Sequence, residues 1–68
     1  MKTLILTDVS SGNILDRITL AADGTVSYET DAGRSLIENL VTAMGITPAE
    51  AFEMRTGWSN GYVVAKIA

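Results

Sequence analysis

Cysteine and histidine are both absent from the 68 residues of this chain. No disulfide can form, and the usual zinc ligands and the commonest general base of nucleophilic catalysis are missing. We therefore expect no metal, no cofactor and no enzymatic activity. The missing cysteines also agree with a reducing compartment, so we expect a cytoplasmic protein.

Long apolar runs and clustered basic residues are lacking as well. No apolar run approaches the roughly 18 residues of a membrane-spanning helix, and the first residues do not form a signal peptide. The five basic residues are scattered along the chain, and the formal net charge is -3. Since nucleic-acid binding needs clustered positive charge to neutralise phosphates, the composition argues against a nucleic-acid partner and against a membrane.

The chain is also short, and we expect residues 1–68 to form a single domain. So small a domain buries too little surface to be comfortably stable alone. Hydrophobic residues make up 47% of the sequence, although many of them are alanine. With no disulfide or metal to add stability, we expect self-association as a homo-oligomer, or docking on a larger partner, to supply it.

The stretch from Asp31 to Gly45 predicts the main helix. Apolar residues recur there at the spacing that places them on one face, namely Leu36, Ile37, Leu40, Val41 and Met44. Thr30 or Asp31 can cap the amino terminus, and Gly45 can adopt the left-handed conformation that ends a helix. A sheet is the natural cover for the apolar face.

A second helix is predicted from Pro48 to about Arg55. Thr47 and Glu50 have the spacing of a capping box, and proline is favoured at the first helical position. The residues that this helix could bury are Ala51, Phe52 and Met54.

Four segments have the composition of strands. They are Lys2–Asp8, Asn13–Ala21, Thr25–Thr30 and, after the second helix, Tyr62–Ile67. The dipeptide formed by Asp23 and Gly24 predicts a type I′ hairpin. The elements together predict an α+β fold of order β-β-β-α-α-β, in which two helices pack on one face of a three-stranded antiparallel meander and a fourth strand closes it.

The alternation of side chains also assigns faces to the predicted sheet. Leu4 and Leu6 are expected to face the helices. In the second strand Ile14, Ile18 and Leu20 would share one face with Asp16, whose carboxylate is costly there unless the loop keeps it wet. We expect the opposite face to be apolar too, and a sheet apolar on both sides favours a partner. The residues expected to line that opposite face are Ile5, Leu15, Val63 and Ile67.

Two of the four aromatic residues lie close together around a turn. Trp58 and Tyr62 flank Asn60, and tryptophan and tyrosine are enriched at binding hot spots. Trp58 can equally cover the open end of a small core, and both roles can hold together. The candidate interaction surface is Trp58, Asn60, Tyr62, Ile5 and Leu15.

The segment from Leu40 to Phe52 offers an alternative function. Its apolar helix, glycine, threonine and new helix resemble a helix-turn-helix, and also the helix joint of ribbon-helix-helix repressors, and both families bind DNA. The helix that would contact DNA presents Glu50 and Glu53 with a single base, Arg55, and carboxylates repel phosphate. A small DNA-binding transcriptional regulator is therefore the second hypothesis. The alternative interpretation of this segment is purely structural, namely a well-capped corner between two helices.

The pattern of the whole chain resembles small uncharacterised proteins encoded by phages of actinobacteria. The resemblance rests on the aliphatic first strand, on DGTVSYET before a helix, and on GITPAEAF and GWSNGY, and it covers nearly all of the chain. It implies a viral origin and a place in the host cytoplasm or in a virion. We therefore expect a non-enzymatic interaction or assembly module that self-associates or docks on a larger complex.

Overall fold

The computed structural model describes residues 1–68 and contains the six predicted elements in the predicted order. Strands β1 (Lys2–Asp8), β2 (Ile14–Leu20) and β3 (Val26–Tyr28) precede helices α1 (Asp31–Met44) and α2 (Pro48–Arg55), and strand β4 (Val63–Ile67) follows. The strands form one antiparallel sheet in the order β3-β2-β1-β4. The predicted α+β fold is confirmed. With 14 and 8 residues, α1 and α2 both fall short of a bilayer-spanning helix.

The last strand completes the sheet beside the first. β4 pairs with β1, and Leu6 lies opposite Ala65. On its outer side β4 pairs with the segment after α2, where Gly57 N–H donates to Ala65 O and Ala65 N–H donates to Trp58 O, each at 2.8 Å. The opposite edge of the sheet is β3, whose three residues are too few to pair stably with another chain.

Local signals set the helix ends as predicted. The Thr30 side chain accepts a hydrogen bond from Ala32 N–H at the start of α1, and Gly45 ends the helix with φ 65°. Both hydrogen bonds of the capping box between Thr47 and Glu50 are present at the start of α2.

The β2–β3 hairpin uses a different turn from the predicted one. A type I′ turn needs positive φ at both central residues, but no residue other than glycine has positive φ, so Asp23 does not meet this requirement. Gly24 has φ 91°, its N–H donates to Ala21 O, and Ala21 N–H donates to Thr25 O. The connection is therefore a three-residue loop that ends in a left-handed glycine.

The hydrophobic core lies between the sheet and the helices. It consists of Leu4, Leu6, Ile18, Ile37, Ala51, Phe52 and Ala65. Met44, a member of the predicted apolar face of α1, and Met54, a residue that α2 could bury, are both half exposed. Met44 is the last residue of α1, and Met54 lies roughly 200° around α2 from Phe52, which places it away from the core.

A β-bulge in β2 changes which residues face the helices. Leu6 pairs with Asp16 but Thr7 pairs with Ile14, so Leu15 is left without a partner. Leu15 consequently packs against the core on the helix side, and Ile14 moves to the opposite face, where it is half exposed. The predicted faces of Ile14 and Leu15 are therefore wrong, because simple alternation does not continue through a bulge.

The prediction of a sheet that is apolar on both sides is also wrong. Residues paired across strands share a face, so Ile67, opposite Leu4, lies on the helix side, as does Val63. Of the predicted set, only Ile5 lies on the open face. That face carries mostly polar residues, namely Thr3, Thr7, Arg17, Thr19, Ser27 and Lys66, with Ile5, Ile14 and Val64 among them.

A buried carboxylate joins β2 to the amino terminus of α1. Asp16 is 2% exposed, and its Oδ1 accepts hydrogen bonds from the backbone N–H groups of Arg17, Glu29 and Thr30. Its Oδ2 accepts a hydrogen bond from Gly33 N–H at 2.7 Å. Asp16 therefore lies on the apolar face as predicted, but backbone N–H groups satisfy it in place of water.

Helix α1 approaches β2 most closely at Gly33. A Cβ at this position would collide with Asp16 Oδ2 and would lie 2.7 Å from Ile18 Cγ1. Burial raises the pKa of Asp16, but the hydrogen bonds from Gly33, Thr30 and Glu29 together lower it further, so the pKa lies below its usual value. The folded state therefore favours the charged carboxylate.

Replacing Asp16 with Asn should lower the free energy of unfolding by about 2 to 4 kcal/mol near pH 7, because an amide cannot accept hydrogen bonds at both of its polar atoms. The folded pKa of Asp16 lies below the unfolded value, so the stabilisation is complete above about pH 5 and is lost as the pH falls through the folded pKa. The difference between wild type and variant should therefore shrink below about pH 4.

Urea unfolding followed by circular dichroism measures this difference at both pH values. Glu38→Gln, which changes an exposed carboxylate on α1, is the matched control and should leave the stability unchanged. If Asp16→Asn is as stable as the wild type near neutral pH, the role assigned to the buried carboxylate is contradicted.

Gly33→Ala should destabilise the fold by about 1 to 3 kcal/mol, because the added methyl group forces α1 away from Asp16 and Ile18. An alanine inside a helix ordinarily adds up to about 1 kcal/mol of stability relative to glycine. Ser35→Ala, at an exposed position of the same helix, is the control and should be neutral or slightly stabilising. Thermal unfolding separates the two, and a stabilised Gly33→Ala would show that the close approach is not required.

Candidate functional site

The two helices contact the sheet mainly on the side of β2 and β3. At 1.5 Å per residue, α1 is about 21 Å long and α2 about 12 Å. Helix α1 packs over β2 and β3, and α2 ends at Arg55. Trp58, just after α2, packs against the core and lies beside Leu6 and Val63 of the paired strands β1 and β4.

A cleft of about 230 Å³ lies between α1 and this segment. It is lined by Leu6, Leu15, Ala32, Ser35, Leu36, Asn39, Trp58, Asn60 and Val63. Side chains of the sheet form its floor, α1 forms one wall, and Trp58 and Asn60 form the other. None of the lining residues is charged.

Arg55 holds Trp58 in its position. Its guanidinium lies over the indole ring, 4.7 Å from the ring centroid. Arg55 Nε also donates a hydrogen bond to Leu36 O in α1 at 3.2 Å. Burial lowers the pKa of Arg55, but a guanidinium remains charged at neutral pH. This one side chain therefore fixes the Trp58 wall relative to the α1 wall.

The polar groups at the rim of the cleft are available to a ligand. Asn60 Oδ1 accepts hydrogen bonds from the N–H groups of Tyr62 and Val63, each at 2.8 Å, which leaves its amide nitrogen free to donate. On the α1 wall, Ser35 and Asn39 are exposed, and the hydrogen bonds of that helix do not use their side chains. The rim therefore offers two amides and one hydroxyl.

The structure brings together three of the residues predicted to form an interaction surface. Leu15, Trp58 and Asn60 line the cleft, and Trp58 also packs against the core, so it covers the core and forms a wall at once. Tyr62 is 79% exposed and lies next to the cleft without lining it. Ile5 lies on the opposite face of the sheet, away from Leu15, Trp58 and Asn60.

The wall that α1 contributes was not among the residues predicted from the sequence. Ala32, Ser35, Leu36 and Asn39 have the spacing i, i+3, i+4 and i+7, which places them on one stripe of the helix. All four are uncharged, and the stripe runs beside the apolar face that Ile37 contributes to the core. This spacing is a signal that could have identified the wall.

A second concavity, of about 300 Å³, lies on the open face of the sheet. It is lined by Thr7, Asp8, Val9, Gly12, Val64 and Lys66. The carboxylate of Asp8 accepts hydrogen bonds from Ser10 and Ser11, and these lower its pKa. Asp8 therefore stabilises its own turn, and the acidic residues of the chain form no group that could hold a metal ion.

The joint between α1 and α2 presents no basic surface. Glu50 forms the capping box, and Glu53 pairs with Lys2 Nζ at 2.8 Å. Arg55, the only base of α2, lies over Trp58. The joint therefore shows the features of a packed corner between two helices.

No protein-family model, curated protein or solved structure matches this chain. The candidate site accordingly depends on the geometry of the cleft alone.

Arg55→Lys should lower the free energy of unfolding by about 1 to 2 kcal/mol, because lysine loses the hydrogen bond to Leu36 O and the planar contact with Trp58. Trp58 is the only tryptophan, so its fluorescence emission should shift to longer wavelength as its ring becomes wetter. Arg34→Lys is the control, since Arg34 makes only an exposed ion pair with Asp31. Unchanged stability and emission in Arg55→Lys would show that the stacking does not hold the wall.

Proposed function

We propose that this chain is a small non-enzymatic protein-interaction module that binds an apolar side chain of a protein in the cleft between α1 and Trp58. The observation that carries the proposal is an uncharged cleft whose rim has hydrogen-bonding groups without partners in the chain.

The volume of the cleft favours one side chain over a whole small molecule. Pockets for drug-sized ligands measure roughly 300 to 1,000 Å³, and this cleft, at about 230 Å³, is smaller. Binding hot spots between proteins are commonly single side chains that fill a pocket on the partner. The size therefore suits one anchoring residue.

The lining favours an uncharged occupant. The partly buried Leu15 and Val63 at the floor gain from losing contact with water, at about 25 cal/mol per Å² of apolar surface. No lining residue could neutralise a phosphate or a carboxylate, so a charged group would lose hydration without compensation. The rim amides of Asn39 and Asn60 can pair with main-chain groups on either side of an anchor residue.

The same lining is the reason for proposing binding over catalysis. None of the lining residues titrates near neutral pH, so the cleft holds no general acid or base. Ser35 is its only hydroxyl, and no other lining residue could act as a base towards it.

The surface of the folded chain indicates that binding is local. Its accessible area of 4115 Å² is what a compact monomer of 7.2 kDa exposes, about 4,100 Å². The fold has no large excess of exposed surface to cover, so a partner is proposed for the cleft and not for a whole face of the sheet. The resemblance to small proteins of actinobacterial phages adds that this partner would be a virion or assembly protein.

An NMR titration with amide-capped amino acids tests the cleft. N-acetyl-leucine amide should shift the backbone signals of the α1 wall and the indole N–H signal of Trp58, with a dissociation constant in the millimolar range or weaker, as expected for so small a ligand. N-acetyl-glutamate amide, which carries a charge, should cause no such shifts.

Two variants sharpen this titration. Asn39→Glu adds a charge at the rim and should weaken binding, whereas Thr42→Glu adds the same charge to α1 at a residue that does not line the cleft. Shifts that spread over the whole surface, or that persist in Asn39→Glu, would contradict the proposal.

A further inference from the structure

We propose that Tyr62 of a second copy of this chain occupies the cleft, so that copies associate head to tail. This inference rests on the proposed function of the cleft and names the partner.

Tyr62 is a prominent and preorganised side chain. It is 79% exposed, more than any other large hydrophobic residue except Met1. Its N–H donates to Asn60 Oδ1 at 2.8 Å, and its carbonyl accepts a hydrogen bond from Val9 N–H at 2.9 Å. Because the backbone is fixed on both sides, placing the ring in a partner costs little conformational entropy.

The chemistry of a tyrosine side chain matches both parts of the cleft. Its ring is apolar and suits the floor, and its hydroxyl can bond with the polar rim at Ser35 or Asn39. The other exposed hydrophobic residues, Met1, Val9, Ile14, Met44, Met54 and Ile67, have no polar tip. Tyr62 is therefore the exposed side chain of this protein that complements the cleft best.

The positions of Tyr62 and the cleft dictate the geometry of association. Tyr62 precedes β4 and does not line the cleft, whereas Val63, the first residue of β4, does. Anchor and cleft are therefore two different surfaces of the chain. A contact between two different surfaces can repeat from copy to copy, so it produces either a closed ring or an open filament. A symmetric dimer, in contrast, uses the same surface of both copies.

The area involved predicts weak association. A stable interface buries about 800 Å² on each partner, which is about a fifth of the 4115 Å² surface of this chain. A buried aromatic side chain accounts for about 150 to 250 Å² of that area. We therefore expect a dissociation constant between about 0.1 and 1 mM.

Sedimentation velocity over a concentration series up to about 1 mM tests the inference. The average mass of the wild type should rise above 7.2 kDa and should not stop at twice that value. Tyr62→Ala should weaken association at least about tenfold, as for other hot-spot tyrosines. Tyr62→Phe, which keeps the ring, should be affected less, and Met54→Ala, at another exposed apolar residue, should behave as wild type.

A mixture of two variants tests the head-to-tail geometry. Ser35→Trp fills the cleft but keeps Tyr62, and Tyr62→Ala keeps the cleft but lacks the anchor. Each variant alone should remain monomeric. Their mixture should form a complex of one chain of each, and no larger species, because only one anchor and one open cleft are left to combine. Asn39→Glu replaces Ser35→Trp if circular dichroism shows that the latter does not fold.

Each outcome decides between the two proposals. Three results would overturn the head-to-tail inference. Tyr62→Ala could associate as strongly as the wild type, the wild type could stop at a dimer, or the mixture of variants could stay monomeric. A wild type that stays monomeric while N-acetyl-leucine amide still binds the cleft also overturns it, but leaves the proposed function intact. Loss of the amide binding as well would overturn both.

Discussion

The carboxylate of Asp16 determines how α1 sits on the sheet, and the rest of the structure depends on that placement. It accepts hydrogen bonds from backbone N–H groups of β2, of the residues that follow β3 and of the first turn of α1, and the site is closed to water. The contact is possible only because Gly33 has no side chain. It fixes the rotation of the helix about its axis, since Ile37, one turn on, then points into the core. The stripe that contains Ser35 and Asn39 is turned towards Trp58 by the same rotation.

Most of the fold could be predicted because its signals are local. The capping box at Thr47, the left-handed Gly45 and the alternation of β1 each act within a few residues, and each element formed where these signals placed it. The errors arose where a residue responds to distant parts of the chain. Nothing within β2 reveals the bulge at Leu15, which becomes visible only in the register with β1. The partners of Asp16 are likewise up to 17 residues away, so the sequence could show the cost of burying it but not how that cost is met.

The candidate site could be predicted only in part, for a related reason. Trp58 and Asn60 stand out by residue type alone, whereas Leu15 was chosen for a face of the sheet that it does not occupy. The cleft exists because α2 ends at Arg55 and leaves Trp58 as the cover over the end of the sheet. The shape of the cleft depends on where a helix ends relative to the sheet. No single sequence motif predicts that position. The polar open face has a similar origin, since the register of β4 and not its composition decides where Val63 and Ile67 lie.

The position of β1 between β2 and β4 has a consequence for how the protein is made. The first strand needs the last one as a neighbour, and closing so long a loop makes such contacts slow to form. During synthesis the hairpins can assemble first, while one edge of β1 stays open until β4 leaves the ribosome. Because Leu6 of β1 and Val63 of β4 share the floor of the cleft, a chain cut short before β4 has no cleft at all. Only chains that include β4 would then carry this surface, so products truncated before it could not compete for whatever it binds.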